Sequence, residues 1–523
     1  MPLKQGAIEV PVKIVGSSKF GRYPIISSER TYNMFVSDNW LINFAGYSNQ
    51  LEVLLGNVQG RGLYTSTRGG FMIYVAGSNV YRINLNSGVI SAFFIGAIGT
   101  STGEVFIAEN LNSQIVIVAT PECWVYNYDT LAFAQPTLSS DLVPKYVTFH
   151  NTYFLFGNAI TTATGSQWFV YQNNPVDDIQ LTLVTERTLQ TKADFAQAVI
   201  PIPGSSSNVL VIGSVVAEIW NNVGGLDVYK KNTSVNIDFG TPSVSTIAWN
   251  EQLICWLAIN GESSPAIMTM SGGGAQRIST DGIDFLLSTI KHPSDSTAIF
   301  YRQDGHLFYQ LTFFNPADNL SIMYDFNTDM FFDLTDWNFN YHPMRQLAYF
   351  NNRVYFASLN NGNIYQIGSD ITAYEYNTSE LYEIPRVRVC DTFRYKDRPE
   401  RFLTKLFTFV IENGVEPNVP VEDDCVGYML TEEGNIIYTE DGRPILIEGG
   451  YCGVYRPRID VTISKNGGLT FSNAVPYFMH ATGQYKNQPR FNNLGASNMM
   501  TIQMRFWGFG RVCISNGMLE IST

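Results

Sequence analysis

The sequence has few charged residues and no basic run. Charged residues make up 15% of its 523 positions, and 33 Lys and Arg face 46 Asp and Glu, which gives a net charge of −13. A protein that draws its affinity for nucleic acid from the phosphates needs clustered Lys and Arg. The composition therefore excludes a DNA clamp, and any contact with duplex DNA is expected to be weak or a transient passage.

Long apolar runs and an apolar leader are also missing. No stretch approaches the roughly 18 uncharged apolar residues that cross a bilayer. Residues 1–20 lack the apolar core and the small-residue cleavage site of a secretory signal. We therefore expect no membrane insertion, and we expect synthesis in a cytoplasm.

Cysteine and histidine are scarce and scattered. The six cysteines include no C-x-x-C pair, and the five histidines stand apart from them. This pattern argues against a zinc site and favours reduced thiols in the core. Cys425 and Cys452 share one segment and stay candidates for a disulfide in an oxidising compartment, since spacing alone does not set the geometry. We predict neither a metal nor another cofactor.

Aromatic and turn-forming residues are abundant. The 34 Phe and 29 Tyr accompany 43 Gly and 22 Pro, a balance that favours many short strands with frequent turns. From residue 71 onward a hairpin-like unit recurs. Its seven copies begin near Phe71, Gln114, Thr152, Asn208, Gln252, His306 and Arg353.

The period of these copies predicts a β-propeller. Their starts are about 47 residues apart on average, and repeats of roughly 40 to 50 residues with about four strands each are typical of propeller blades. A large irregular β-sandwich is the alternative, but it lacks a fixed period. The steps are uneven, so the prediction covers about six to eight blades. Helical periodicity is nearly absent, although residues 188–199 would suit a turn or two of helix.

The chain divides into three predicted regions. Residues 1–58 read as an arm that lies on the body, residues 59–384 as the propeller, and residues 385–523 as an appended antiparallel β-sandwich. Two segments of the last region alternate apolar with polar residues, as half-buried strands do. Their apolar positions are Ile459, Val461, Ile463, Ile502, Met504 and Phe506. The predicted fold class is thus all-β.

An acidic hairpin insertion is predicted at about residues 413–452. Residues Leu430 to Gly450 contain an eight-residue repeat that places an acidic-Gly turn between short apolar strands. Its carboxylates are candidates for calcium ligands. The spacing does not match an EF-hand loop, however, and a solvated acidic hairpin tip is the commoner outcome.

Two motifs that suggest catalysis lack the context they need. Ser101 lies in a G-x-S-x-G match, but a nucleophile elbow is followed by a helix, whereas a strand-like segment follows here. Residues 272–274 are three glycines without a following Lys-Ser/Thr, so they read as a hairpin turn and not as a phosphate loop.

The sequence contains features that carbohydrate-active propellers also have, but here they indicate structural roles. Residues 464–471 resemble the Asp-box hairpin of sialidase-type propellers, a motif whose polar side chains hold a turn even in enzymes. Trp220, Trp256 and Trp337 have the chemistry to stack on sugars, but their strand positions favour blade core. A glycosidase also needs two positioned carboxylates. We predict no enzyme and no catalytic, cofactor or metal site, and partner-binding residues stay unassigned.

Short fragments in a constant order along nearly 500 residues carry a family resemblance. They are Glu29–Met34, Gly60–Gly62, Ala217–Gly224, Arg277–Ile283, Gly305–Tyr309, Met323–Asp325, Ile463–Gly468, Gly483–Tyr485 and Leu494–Ala496. Together they resemble the tail hub or nozzle protein of short-tailed bacteriophages, the packaged DNA stabilisation family. The sequence departs from the family pattern at residues 45–47, where Pro-Gly is usual, and at Asn466, where Asp is usual. Both departures lie in turns, so the expected fold is unchanged.

The resemblance implies a non-enzymatic protein of the virion tail, made in the host cytoplasm. Such proteins form a ring, expected to be a homohexamer, below the portal and adaptor. They retain the packaged DNA, conduct it during ejection, and contact tailspikes or fibres and a plug or needle. An acidic wall that holds passing DNA weakly is compatible with this role. The alternative is a carbohydrate-binding or depolymerising propeller of a phage tail.

Overall fold

The regular secondary structure of the described chain is almost entirely β. The computed structural model describes residues 8–21, 29–52, 58–86, 88–159, 167–225, 227–377, 380–397, 400–413, 457–479 and 486–522. Within them the elements are short strands, one α-helix and two 3₁₀ turns, Val244–Thr246 and Tyr395–Asp397. No helix in these residues has the length and apolar character that crossing a membrane requires. The all-β prediction is confirmed.

The described residues form two compact units. The propeller unit comprises residues 18–21 and the described residues within 45–382, and the terminal unit comprises residues 8–17, 29–44 and the described residues from 383 onward. The described residues of the region assigned from sequence to a single arm, 1–58, are therefore shared between both units. Local periodicity does not reveal this, because, apart from one local hairpin, the strands of this region pair with strands hundreds of positions away.

The predicted acidic insertion falls outside the described residues. This holds for the repeat from Leu430 to Gly450 and for Cys425 and Cys452. Only the strand that ends at Asn413, at the edge of the predicted insertion, is described.

The first five strands join sheets whose other members come from later in the chain. They are β1 (Ile8–Val12), β2 (Arg30–Tyr32), β3 (Met34–Ser37), β4 (Trp40–Asn43) and β5 (Gly46–Glu52). The first four belong to the terminal unit and β5 belongs to the propeller unit.

Six sets of four consecutive antiparallel strands follow. They are β6 (Gly60–Ser66), β7 (Phe71–Ala76), β8 (Asn79–Asn86) and β9 (Val89–Ala97); β10 (Phe106–Glu109), β11 (Gln114–Ala119), β12 (Glu122–Asn127) and β13 (Ala132–Ala134); β14 (Pro144–His150), β15 (Tyr153–Asn158), β16 (Gln167–Asn173) and β17 (Leu181–Thr188); β18 (Ala198–Pro201), β19 (Asn208–Ile212), β20 (Ala217–Asn222) and β21 (Tyr229–Ile237); β22 (Ala248–Trp249), β23 (Ile254–Ile259), β24 (Pro265–Ser271) and β25 (Gly274–Arg277); and β26 (Ser296–Gln303), β27 (His306–Phe313), β28 (Leu320–Asp325) and β29 (Met330–Asp333). We call them the first to sixth sheets of the propeller unit.

The seventh sheet takes its fourth strand from the N-terminal side of the chain. It contains β30 (Met344–Phe350), β31 (Arg353–Ser358), β32 (Asn363–Gly368) and then β5, which pairs antiparallel with β32 and places Tyr47 opposite Ile367. β33 (Ala373–Asn377) and β34 (Glu380–Glu383) extend this sheet beyond β5. The seven four-stranded sets lie within the predicted range of blades, and each predicted copy begins at or just before a second strand.

Two-residue turns mark the start of three of the seven copies. In the third, sixth and seventh sheets, both residues of the turn between the first and second strands have φ between 48° and 87°. This left-handed conformation suits tight antiparallel hairpins and favours Asn, Asp and Gly. The turn pairs are Asn151-Thr152, Asp304-Gly305 and Asn351-Asn352.

Apolar side chains fill the spaces between neighbouring sheets. Ile73 of the first sheet packs in one cluster with Ile117 of the second. Tyr74 of the first sheet shares another cluster with Tyr355 of the seventh. The core of the propeller unit is thus a series of wedges between sheets, as expected for blades packed side by side.

An aromatic cluster fixes β5 in the seventh sheet. The buried Tyr47 ring stacks on Tyr374 with centroids 4.5 Å apart and meets His342, Phe356 and Tyr365 edge-on at 5.2 to 5.6 Å. Such pairs add about 0.5–1.5 kcal/mol each beyond their buried area. Burial raises the pKa of Tyr47 well above its ordinary value, so the hydroxyl stays neutral.

Among the described residues there is one α-helix, α1 (Asp281–Ser288), which lies between β25 and β26. Thr280 is its N-cap, and the Thr280 side chain accepts a hydrogen bond from a backbone N–H of the first turn at 3.4 Å. Asp281 and Asp284 lie in the first turn, where the positive end of the helix dipole stabilises their carboxylates. Arg277 forms a salt bridge with each of them at 2.7 Å.

Sequence patterns misplaced the helical segment. Residues 188–199, which seemed suited to a turn or two of helix, contain the end of β17 and the start of β18. The eight residues of α1 give barely two turns of periodicity, which is too short a window for a helical pattern to stand out.

The terminal unit contains three antiparallel sheets. Its remaining strands are β35 (Arg386–Val389), β36 (Phe402–Thr408), β37 (Ile411–Asn413), β38 (Arg458–Ser464), β39 (Val475–Phe478), β40 (Lys486–Asn487), β41 (Arg490–Ser497), β42 (Thr501–Trp507), β43 (Val512–Ile514) and β44 (Gly517–Ser522). The strand orders are β1-β44-β36-β41, β3-β4-β43-β37-β40 and β2-β35-β42-β38-β39.

The two alternating segments predicted in this region pair with each other. In β38 and β42, Ile459 lies opposite Phe506 and Val461 opposite Met504, and these side chains are buried. The predicted alternation is therefore confirmed, and one buried face joins both segments.

Gly157→Ala is expected to destabilise the propeller unit. Gly157 in β15 lies so close to the fourth sheet that a Cβ atom would be 1.9 Å from the carbonyl oxygen of Gln197. The backbone must shift, and overpacking of this kind costs about 1–3 kcal/mol. Urea unfolding measures the change. Gly273→Ala is the control, because a Cβ there meets nothing within 4 Å. Equal midpoints for both variants would contradict the prediction.

Acidification is expected to destabilise the protein through His342. Burial lowers the pKa of His342 from 6.5 to about 3. Below pH 6.5 the unfolded chain takes up a proton that the folded chain does not, so stability falls as the pH decreases towards 3. This histidine alone should cost about 2 kcal/mol between pH 8 and pH 5.

The measurement compares unfolding free energies at pH 8 and pH 5. His342→Gln removes the titrating group, so its loss on acidification should be smaller than that of the wild type. His292→Gln, at a histidine that is about half exposed, serves as the control. An unchanged loss in His342→Gln would show that the prediction is wrong.

Candidate functional site at the propeller axis

The first strands of the seven sheets converge on one axis. β6 contacts β10 and β30, β10 contacts β14, β14 contacts β18, β22 contacts β26, and β26 contacts β30. Between the fourth and fifth sheets, Thr241 donates its backbone N–H to Gly213 O at 2.9 Å. Polar groups at the beginnings of these strands therefore meet one another at the axis.

Arg61 ties the first sheet to the loop that precedes the second. Its guanidinium donates to the carbonyl oxygens of Gly77 at 2.7 Å, Thr100 at 2.8 Å, Thr102 at 2.6 Å and Gly103 at 2.7 Å. The side chain is buried, and burial lowers the pKa of Arg61 to about 10. One cation thus satisfies four backbone acceptors.

Glu104 reaches across the axis from the second sheet. Its Oε1 accepts a hydrogen bond from Gln346 Nε2 at 2.8 Å, in the seventh sheet. Burial raises the pKa of the Glu104 carboxyl, although Arg345 and the hydroxyls of Ser245 and Thr297 oppose the increase. These partners lie in the sixth and seventh sheets and in the 3₁₀ turn that precedes the fifth sheet, so one carboxylate links opposite sides of the axis.

A cavity of about 570 Å³ lies on the axis beside Glu104. Glu104, Ser245 and Gln346, from the beginnings of the first strands, line its base, and Trp249 and Tyr349 lie farther along these strands. Their side chains are 43% and 51% exposed, so they mark the mouth of the cavity.

Duplex DNA does not fit this axis. Its major groove alone is about 12 Å wide and 8.5 Å deep, whereas the cavity holds about 570 Å³ and Glu104 crosses its base. The axis of a single propeller unit is therefore a small pocket and not a passage for duplex DNA.

Ser101 lies in the loop that Arg61 holds. The serine side chain is exposed, and Arg61 binds the carbonyls on both sides of it. The next regular element is the strand β10, as the sequence indicated, and not the helix of a nucleophile elbow. The match to G-x-S-x-G is explained by this structural loop.

The three tryptophans singled out from sequence do not form a site. Trp220 and Trp256 are buried blade core, as the sequence favoured. Trp337 lies in a turn, where its ring stacks on Tyr382 with centroids 4.4 Å apart, so its expected strand position was wrong. Sequence reasoning missed Trp249 and Tyr349, because strand residues that face an axis alternate in the same way as residues that face a core.

Three of the four described cysteines are core residues, and Cys513 is half-buried. Cys123, Cys255 and Cys390 are buried and carry free thiols, and burial raises the pKa of each. Thiols of this kind are poor nucleophiles. Across the described ranges, no group of three His, Cys, Asp or Glu side chains is placed to hold a metal ion.

Several fragments of the family resemblance make contacts with one another. His306 Nδ1 lies 2.8 Å from Asp325 Oδ2, which joins the fragment at 305–309 to the fragment at 323–325. Glu218, in the fragment at 217–224, accepts hydrogen bonds from Trp220 Nε1 at 3.0 Å and from Lys231 Nζ at 3.2 Å. These polar residues hold neighbouring strands together.

The first fragment, Glu29–Met34, holds the terminal unit together. The guanidinium of buried Arg388 binds the Glu29 carboxylate and Thr31 Oγ1, and it also donates to Ile14 O at 2.6 Å. Asn33 Nδ2 donates to Pro385 O at 2.9 Å. The alternate residues of this fragment are thus polar because they face a buried arginine and a strand end.

The Asp-box-like hairpin holds its turn with asparagine. Asn466 Oδ1 accepts from the Thr470 backbone N–H at 3.0 Å, and Asn466 Nδ2 donates to Thr470 Oγ1 at 2.8 Å. Ser464 Oγ donates to Asn466 Oδ1 at 2.7 Å. The substitution of Asn for Asp therefore preserves a structural turn.

Comparisons with known proteins agree with the sequence resemblance. The model of a family described as "Bacteriophage P22 Gp10, beta-propeller" matches residues 22–372. No curated protein matches the chain. A solved structure titled "Crystal Structure of Mitotic Checkpoint Complex" aligns with 61% of this chain and 96% of its own chain, at 12% identity and a TM-score of 0.38. A similarity at that level carries no conclusion.

Arg61→Met is expected to destabilise the propeller unit strongly. The variant keeps an apolar side chain of similar length but leaves four backbone carbonyls without their donor, and each buried unsatisfied acceptor costs about 1–3 kcal/mol. We expect a loss of about 3 kcal/mol or more in urea unfolding. The exposed Arg353 provides the control variant Arg353→Met, which should change stability little. Similar losses in both variants would contradict the role given to Arg61.

Proposed function

Because the chain belongs to the phage stabilisation family described as "Bacteriophage P22 Gp10, beta-propeller", we propose that it is the tail hub or nozzle of a short-tailed phage. In this role it is a structural protein of the virion, made in the host cytoplasm. It retains the packaged genome and conducts it during ejection. The family match over residues 22–372 is the observation that carries the proposal.

The lack of a passage for duplex DNA along the propeller axis supports an assembly of several copies. DNA has no path through one propeller unit, since the axial cavity is small and Glu104 crosses its base. A passage for duplex DNA must then lie between copies, and a closed ring with head-to-tail contacts supplies one. We propose a homohexamer, the number that the family resemblance implies.

The charge of the chain suits the wall of such a passage. Each copy carries a net charge of −13, and a surface with excess negative charge does not hold phosphates. The duplex would therefore slide along the wall during ejection. Retention of the genome then depends on a physical block together with neighbouring proteins. The proposed neighbours are the portal or adaptor on one side and tailspikes, fibres, a plug or a needle on the other.

A depolymerase is the less favoured function. Glycoside hydrolysis uses two carboxyl groups on either side of the bond. Among the described residues that line the axial cavity, Glu104 is the single carboxylate. The cavity therefore lacks the pair that this chemistry needs.

The proposal is tested with phage particles that lack the protein. We expect heads that package DNA and then lose it, so that little nuclease-protected DNA remains and infectivity falls. Purified wild-type protein should restore both. Ser101→Ala should restore them equally, because the hydroxyl of this exposed loop residue has no part in the proposed role.

Two results would overturn the proposal. The first is that particles without the protein retain their DNA and infect normally. The second is that electron microscopy of the tail places the chain as separate monomers or trimers away from the DNA path.

A further inference from the structure

The axial cavity combines features that its proposed tail role does not use. It is open at one end, where Trp249 and Tyr349 are about half exposed, and its volume of about 570 Å³ falls in the range of roughly 300–1,000 Å³ that is usual for small-molecule sites. DNA is excluded by size. A cavity of this size and shape is suited to bind a small molecule.

The two aromatic rings at the mouth have polar neighbours. The Trp249 side chain lies near the hydroxyl of Tyr146, and the Tyr349 hydroxyl lies near the backbone N–H of Arg302. About half of each aromatic side chain stays exposed. Aromatic side chains offer flat apolar platforms at little cost in conformational entropy.

The base of the cavity is polar. Glu104 Oε1 accepts a hydrogen bond from Gln346 Nε2 at 2.8 Å, and the hydroxyls of Ser245 and Thr297 also stabilise the charged form of this carboxyl. A carboxylate has room to accept about four hydrogen bonds, and Glu104 lines a cavity large enough to admit a further donor. A ligand hydroxyl would supply that donor.

The charges around the cavity do not favour an ionic ligand. The negative charge of Glu104 is offset by Arg345, and Arg302 lines the cavity. A cation would meet Arg302, and a phosphate would meet the carboxylate of Glu104. The ligand that suits both ends is neutral, with an apolar face and hydroxyl donors at its edge.

The geometry points to the axial cavity as a binding site for a neutral saccharide, with Trp249 and Tyr349 as stacking platforms and Glu104 as the acceptor of a sugar hydroxyl. Sugar rings present an apolar C–H face and a polar edge, which match the mouth and the base. The site binds without hydrolysis, because Glu104 is the single carboxylate among the described lining residues and cleavage needs two. The inference goes beyond the tail role and is tested separately from it.

The test uses the purified full-length chain on a printed array of bacterial O-antigen and capsular oligosaccharides, with chitin and amylose oligomers included. Bound glycans are then titrated in solution with the wild type, Trp249→Ala, Glu104→Gln and Phe93→Ala. Phe93, in β9, is a matched control because it is an exposed aromatic residue, at 60% exposure, outside the cavity. Tetralysine and spermidine are titrated in parallel as cationic probes.

We expect the wild type and Phe93→Ala to bind at least one neutral oligosaccharide with equal affinity. Trp249→Ala and Glu104→Gln should each bind it at least about tenfold more weakly, with melting temperatures that show both variants to be folded. The bound oligosaccharide should be recovered intact.

Three results would overturn the inference. They are no binding of any glycan by the wild type, binding that both cavity variants retain, and binding of tetralysine or spermidine in place of a glycan. If either cavity variant fails to fold, the other variant decides the outcome.

Discussion

The first strands of the seven sheets meet around one axis, where polar groups come close together and several of them, such as Arg61, are buried. A buried donor or acceptor without a partner costs free energy, and this cost is a large part of the small net stability of a folded protein. Each such group therefore needs a partner. Arg61 meets this need by binding four carbonyls. Glu104 meets it by reaching the seventh sheet. The blades are held by apolar wedges at their sides and by these polar contacts at their centre.

The same contacts shape what the molecule is able to do. A carboxylate that crosses the axis leaves a pocket on one side and no path for a duplex. The proposed conduction of DNA is therefore a property of an assembly, whereas the proposed saccharide site is a property of each copy. The two roles use different surfaces, so a change at Trp249 should affect one without the other.

The fragments that carry the family resemblance are mainly structural in this fold. Glu29 and Thr31 bind Arg388 within the terminal unit, His306 meets Asp325, and Asn466 holds a turn. Polar residues in these places are needed wherever the fold is kept, since each satisfies a buried partner or a turn. The resemblance thus identifies the fold directly, and it supports the proposed tail function through the family.

The sequence by itself determined the all-β class, the seven hairpin copies and the pairing faces of residues 459–463 and 502–506, because alternation and two-residue turns are local properties of a chain. It also indicated that Ser101 precedes a strand. Only the tertiary structure decided that β5 completes the seventh sheet and that Glu104, Trp249 and Tyr349 line one cavity. These residues come from distant parts of the chain, and their proximity depends on how the sheets pack side by side. Packing between sheets produces no periodic pattern within any one segment, so the sequence does not reveal it.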